Sequence, residues 1–247
     1  MRIRGAIHMH STFSHDGTLS VAELAALYRR NNYQFIAITE HAEDLDHRRA
    51  ECLLDQCREH SRDRLCVIPG AEFSCGEFHI LGIGVVTAER QADAITAAET
   101  IHSHGGMAVL AHPKRFGWKC PTEILRAVDA VEIWNVEYDG RFLPSTQAAE
   151  AYAAMKRAQP PLLAVAGHDL HRMASFYDVA LVMDVGEPSA AAILSNLRQG
   201  RYAIESRFFR SGPDGRISKP RSAFLRILSG QLRKMRQARS LIEELLS

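Results

Sequence analysis

The sequence predicts an α/β fold with largely parallel strands. Short runs rich in Val, Ile and Leu alternate with longer segments of helical period, and histidines and carboxylates gather at the C-terminal ends of those runs. At 247 residues, 46% hydrophobic and 24% charged, the chain suits one large domain, or one domain with an appendage.

Eight strands are expected, at Ala6–Met9, Phe35–Thr39, Leu65–Pro69, His79–Val86, Met107–Ala111, Ala130–Trp134, Leu162–Ala166 and Ala180–Asp184. Six helices fill the gaps, at Val21–Asn31, His47–Glu59, Arg90–His104, Thr122–Ala127, Thr146–Arg157 and Ser189–Arg198. The first follows Thr18 or Ser20, and Glu23 lies three residues beyond Ser20, the spacing of a capping box. Neither an internal repeat nor a low-complexity tract is evident.

Five cysteines, an odd number without a Cys-x-x-Cys pair, read as reduced thiols and argue against a thiolate zinc site. No stretch approaches the roughly 20 apolar residues that span a bilayer, and the N-terminus lacks a signal-peptide core, so the chain is expected to be cytoplasmic. The net charge of +1 is unevenly spread: from Arg198 onward twelve Lys or Arg face four Asp or Glu, which leaves the remainder acidic. An acidic body suits a domain that gathers cations.

Ser211-Gly212-Pro213-Asp214-Gly215 is the clearest break, dividing residues 1–210 from a linker and tail over 211–247. From Pro220 to Leu246, Phe224, Leu225, Ile227, Leu228, Leu232, Met235, Leu241, Ile242 and Leu245 recur at helical spacing among basic residues. This predicts a basic amphipathic helix. Its apolar face suits packing on the body or on a second copy of the chain, making a homo-oligomer; nucleic acid and a membrane surface are the alternatives.

The chemistry lies at the strand ends. His8 and His10 close the first strand, and residues two apart in an extended chain point the same way, so both imidazoles can reach one ion. Glu40 and His41, Glu72, His112, and Asp169 with His171 each follow a later strand. In parallel α/β folds this is the ligand-binding edge. An isolated histidine such as His47, His60 or His102 reads as a surface or capping residue, but so many imidazoles and carboxylates at successive strand ends cost too much desolvation without cations.

Taken in order, His8-Met9-His10-Ser11-Thr12-Phe13-Ser14-His15-Asp16-Gly17, Ile38-Thr39-Glu40-His41, Gly70-Ala71-Glu72, His79-Ile80-Leu81-Gly82, Ala111-His112-Pro113-Lys114-Arg115, Val131-Glu132-Ile133-Trp134-Asn135 and Gly167-His168-Asp169-Leu170-His171 resemble the successive motifs of the polymerase and histidinol phosphatase family. The resemblance covers about residues 3–205. It implies a distorted seven-stranded (β/α) barrel and a trinuclear metal site of zinc, manganese or iron. By the same resemblance, His8, His10, Glu72 and Asp169 hold one ion, Glu72 bridges to a second held by His79 and His112, and Asp16, His41 and His171 hold a third. Three positions depart from the family pattern: Glu40 where Asp is usual, His168 where Ser is common, and the additional imidazole of His15.

The expected activity is hydrolysis of phosphoesters by a hydroxide bridging two or three divalent ions. Arg115 is the expected phosphate clamp, with Lys114 a weaker candidate, and His168 the expected proton donor to the leaving alkoxide. Neither a Gly-x-Ser-x-Gly elbow nor a nucleotide triphosphate loop is present. About 32 residues separate His79 from His112, too few for the helical insertion of some relatives, which points to an open site and a small phosphomonoester, a nucleotide or sugar phosphate. The alternatives are a nuclease guided by the basic tail and a metal-stabilised interaction module.

Overall fold

The computed structural model describes residues 1–89, 91, 93–139 and 143–216. Its elements run β1 (Arg2–Ile7), α1 (Val21–Arg30), β2 (Phe35–His41), α2 (His47–His60), β3 (Cys66–Cys75), β4 (Phe78–Ile83), α3 (Ala94–Ser103), β5 (Met107–Leu110), α4 (Thr122–Ala127), β6 (Ala130–Asn135), α5 (Val136–Asp139), α6 (Thr146–Ala158), β7 (Leu163–Gly167), β8 (Val179–Asp184), α7 (Ala190–Arg198), β9 (Ala203–Ser206) and β10 (Arg210–Ser211). Each of the eight expected strands and six expected helices has its counterpart. The Ser20 capping box is formed: its hydroxyl accepts from the Glu23 N–H while the Glu23 carboxylate accepts from the Ser20 N–H. Arg90, the expected start of the third helix, and the tail helix over Pro220–Leu246 lie outside the described residues.

The ten strands among the described residues join one sheet, in the order β10-β9-β8-β1-β2-β3-β4-β5-β6-β7. This corrects the expectation of largely parallel strands. Only β1–β2, β2–β3, β5–β6 and β6–β7 pair in parallel. The two-residue link Gly76-Glu77, with Gly76 at φ +67°, is too short for a crossover, so β4 turns back against β3 as a hairpin.

Seven strands, β1 to β7, are contiguous in the sheet and curl into a half-barrel, with β8 to β10 extending it beyond β1. The curl brings β7 back toward β1. The His168 N–H donates to the Ile7 carbonyl (3.0 Å) and the His10 N–H to the Leu170 carbonyl (2.9 Å), while Met9 and Leu170 form a parallel bridge. Both faces of the sheet are buried: by the strand register Ile7 and Ile68 lie on one face and Ile36 and Ile38 on the other, and Tyr28, Leu53, Ile101 and Ile193 from the helices are buried as well. Burying each such aliphatic side chain contributes about 1.5–3 kcal/mol. Among the described residues no helix is long and apolar enough to cross a membrane.

Candidate metal centre

All nine sequence-predicted ligand residues come together at the C-terminal edge of the curled sheet. Their donor atoms form four overlapping groups, each within 4.8 Å: His10, Asp16, His41 and His171; His8, His10 and Glu72; His8, His112 and Asp169; Glu72, His79 and His112. Backbone conformation helps to aim them. His8 (φ 64°), His112 (φ 28°) and Asp169 (φ 50°), just beyond β1, β5 and β7, occupy the left-handed region. Such backbone costs about 1–3 kcal/mol per residue and persists where surrounding bonds over-determine it.

Glu72 is the hub. Its Oε2 lies 3.2 Å from His10 Nε2, 3.3 Å from His41 Nδ1 and 3.6 Å from His8 Nε2, and its Oε1 lies 2.7 Å from His79 Nδ1 and 3.0 Å from His112 Nε2. Asp169 Oδ1 stands 3.3 Å from His8 Nε2 and 3.8 Å from His10 Nε2. At the outer edge Asp16 meets His41 at 3.3 Å and His171 at 3.2 Å.

Hydrogen bonds on the far sides of the rings set the tautomers. His8 Nδ1–H donates to Glu132 Oε1 (2.7 Å), His10 Nδ1–H to Ser14 Oγ (3.1 Å) and His171 Nδ1–H to the Asp169 carbonyl (3.0 Å). Each leaves an Nε2 lone pair turned into the cluster, the preparation a metal-binding imidazole needs. His79 differs. Its Nε2 accepts from Arg115 Nη1 (3.2 Å), so its Nδ1–H donates to Glu72.

These residues fit divalent cations. His8 Nε2, His10 Nε2, His41 Nδ1 and His112 Nδ1 are buried without a hydrogen-bond partner, an arrangement that costs about 1–3 kcal/mol per group if nothing binds there. Ligand atoms about 2.1 Å from a tetrahedral ion sit about 3.4 Å apart; the spacings of 3.2 to 3.8 Å around His8, His10, Glu72 and Asp169 match that figure.

The electrostatics follow from crowding. Burial pulls the His8 pKa down, but Glu132, Asp169 and Glu72 outweigh it and hold it well above the usual value. Burial wins at His10, which falls to about 4, whereas Glu72 and Asp16 overcome it at His41 and raise it to about 9. Burial would raise the Glu72 carboxyl, yet the surrounding imidazoles hold it well below the carboxylate range.

Glu132 plays a part that the sequence did not assign. Fully buried, it accepts from His8 Nδ1–H, the His112 N–H (2.7 Å) and Asn135 Nδ2 (3.0 Å). Asn135 also donates to Asp169 Oδ2 (3.2 Å), so one strand, β6, braces three candidate ligands. The signal was present: a carboxylate between Val131 and Ile133 in a buried strand must have partners. Gly167 makes room, since a Cβ there would stand 1.7 Å from Glu132 Oε1. Glu40 accepts from the Ser11 N–H and from the Ser11 and Ser14 hydroxyls, and Ser14 Oγ in turn accepts from the His41 N–H (3.0 Å). The longer Glu at this position thus braces His10 and His41 through Ser14.

Arg115 is exposed at the rim beside His79. Lys114 turns elsewhere, donating to the Tyr138 carbonyl with Asp139 at 3.8 Å. His168 does not face the cluster, and this corrects its expected role. The Tyr28 hydroxyl donates to its Nδ1 and its Nε2–H donates to the Val179 carbonyl, both at 2.6 Å. Buried and held to a pKa of about 4, it is a neutral brace between α1 and β8 with no proton to offer a leaving group. His15 donates to Asp44 (2.8 Å) on the exposed side of His41. A cavity of about 280 Å³ opens beside the cluster, lined by Asp16, Thr18, Glu137, His171, Arg172 and Ser175.

No protein-family model matches the chain. A stretch of 44 residues, 18% of the chain, is 46% identical to the DNA polymerase/3'-5' exonuclease PolX of Bacillus subtilis, of whose length it spans 8%. Among solved structures, PsfC from Pseudomonas syringae is similar with a TM-score of 0.58 at 14% identity, over 78% of this chain and 88% of that one. A candidate metal-dependent phosphoesterase from Bifidobacterium adolescentis gives 0.52 at 15% identity, over 78% and 96%. The lesion-specific endonuclease PfuEndoQ of Pyrococcus furiosus gives 0.59 at 16%, over 89% of this chain and 61% of that one. At this level of identity the likeness to the solved structures carries the fold, and the chemistry is argued from the side chains.

Proposed function

We propose that the chain is a metal-dependent phosphoesterase acting on a small phosphomonoester, a nucleotide or sugar phosphate. The observation that carries this reading is the set of four buried imidazole nitrogens without hydrogen-bond partners inside a ring of carboxylates. In this reading His8, His10, Glu72 and Asp169 hold one divalent cation, Glu72 with His79 and His112 a second, and Asp16, His41 and His171 a third. His79 would join by the other tautomer, its single ring proton moving from Nδ1 to Nε2, which frees the Nδ1 lone pair for the cation and releases Arg115. Imidazole and carboxylate donors without thiolate suit zinc, manganese or iron.

When bound, such cations make hydroxide available near neutral pH and neutralise phosphate oxygens. The chain's residues supply the rest. Glu132, Ser14 and the Asp169 carbonyl keep the Nδ1 protons of His8, His10 and His171 on the outer side. Arg115, exposed and 3.2 Å from His79, is placed to donate to a phosphate oxygen. Residues 1–210 are the catalytic domain in this reading, a distorted seven-stranded (β/α) barrel in its β1–β7 part, and 211–247 a linker and basic tail suited to nucleic acid or a second copy of the chain.

A nuclease is the second reading. It is supported by the likeness to endonuclease Q, one structure of which holds a 27-mer duplex with an abasic lesion at the active site (TM-score 0.54, 13% identity). The deciding measurement is metal content by elemental analysis together with hydrolysis of an aryl phosphate monoester and a bis-aryl diester, before and after chelation. Bound metal with chelator-sensitive monoester turnover is expected; diester preference moves the assignment to the nuclease, and an inactive metal-free chain overturns both.

A further inference from the structure

We propose that the Tyr138 hydroxyl, together with Arg115, binds the phosphoryl group of the substrate. The inference rests on the phosphoesterase reading and adds a substrate-binding residue and a direction to it. Tyr138 sits on α5, the single turn that follows β6 at the mouth of the cluster. Its ring lies against His112, centroids 5.2 Å apart, and 39% of the residue is exposed. Among the described residues its hydroxyl has no hydrogen-bond partner.

The residue is nonetheless held firmly. Its N–H donates to Asn135 Oδ1 (3.1 Å) and its carbonyl accepts from Lys114 Nζ. Asn135 is the same side chain that braces Asp169 and Glu132, so one network places both the candidate ligands and the phenol. Lys114 and Arg115 are consecutive; the first fastens the Tyr138 turn and the second rests on His79. Tyr138 and Arg115 therefore flank the His79–His112 end of the cluster.

A phosphoryl group offers several anionic oxygens. Fixed donors at its rim, a guanidinium and a phenol, complement those that cations do not take. A rim tyrosine whose ring is seated and whose hydroxyl is unspent has the form of such a donor. The alcohol portion of the ester then extends toward the opposite end, where the 280 Å³ cavity lies beside Asp16, His171 and Arg172.

The test is Tyr138→Phe in the metal-loaded full chain, which keeps the ring on His112 and removes only the hydroxyl. Metal content, kcat and KM for phenyl phosphate and for an alkyl phosphate, and the inhibition constant of inorganic phosphate are measured. Expected are unchanged metal content, a fall in kcat/KM of roughly 10- to 100-fold on both esters, and a comparable weakening of phosphate inhibition. An active wild type with a variant within about twofold on every measure overturns the proposal. So does a loss confined to the alkyl ester with phosphate inhibition intact, which assigns the hydroxyl to the leaving oxygen, and so does loss of metal from the variant. A metal-loaded wild type that hydrolyses no ester removes the phosphoesterase reading itself.

Discussion

At the inner end of the cluster, His8, His10, Glu72 and His112 are at most 2% exposed, and buried groups of β6 hold His8 and His112 from behind. At the outer end, the Asp16 side chain is 42% exposed and that of His171 24%. Asp16 reaches the site from the loop between β1 and α1, with its neighbour Gly17 pressed so close that a Cβ would stand 1.9 Å from the Ser11 carbonyl oxygen. The inner end is organised by strand backbone and buried bonds before any ion arrives. The outer end depends on side chains whose order water can compete for, so a cation there is expected to bind more weakly and exchange faster.

The largest expected effect comes from breaking the inner end at its hub. Glu72→Gln removes the charge that five imidazoles approach and is expected to lower turnover by roughly a thousandfold or more, with metal lost from the inner groups. Full activity in that variant would sink the hub assignment. Next is Gly167→Ala, whose methyl meets Glu132 and so forces it off His8. A fall in thermal midpoint together with lost metal affinity is expected, on the order of 10- to 100-fold for affinity; unchanged metal binding would show that Glu132 does not orient His8. Asp16→Asn sharpens the contrast. It is expected to cost one bound cation while the inner groups keep theirs, which titration followed by elemental analysis can count.

The smallest effect concerns pH and lies outside the cluster. Burial lowers the folded pKa of His168 from the usual 6.5 to about 4, so the unfolded chain takes up the proton first as pH falls. Stability from this group is therefore complete above pH 6.5 and declines toward pH 4, by about 3 kcal/mol at most. His168→Gln, which cannot charge, is expected to flatten that decline in chelator-treated protein, read by denaturant melts at pH 7 and pH 5. Identical slopes would count against a neutral buried imidazole.

Much of this arrangement is legible in the chain. β2 opens on the continuous apolar run Phe35–Ile38, and the polar residues that follow such runs, His41 at the end of β2 or Asp169 just beyond β7, are conspicuous because nothing apolar explains them. β9 and β10, with four and two residues, are too short to leave a period in the sequence. The reversal of β4 was written in Cys75-Gly76-Glu77-Phe78, but an expectation of crossovers hides a hairpin. β3 runs on through Pro69 to Cys75, because Pro69 still offers the carbonyl that accepts the Gly84 N–H (2.9 Å). His168 shows the converse failure. Its neighbours in sequence are candidate ligands, yet its ring turns to Tyr28, and residue type and position alone do not say which way a ring faces.

The seam between β1 and β7 has a consequence for how the protein comes into being. His8 and Asp169 meet only because the backbone of Ile7 and Leu170 is stitched to that of His168 and His10. A chain emerging from the ribosome presents His8 and His10 before β7 exists, and Asp169 cannot be set against them until that strand follows. Capture of the cations proposed for this site would thus wait for the closing strand, and metal uptake would report that β7 has met β1.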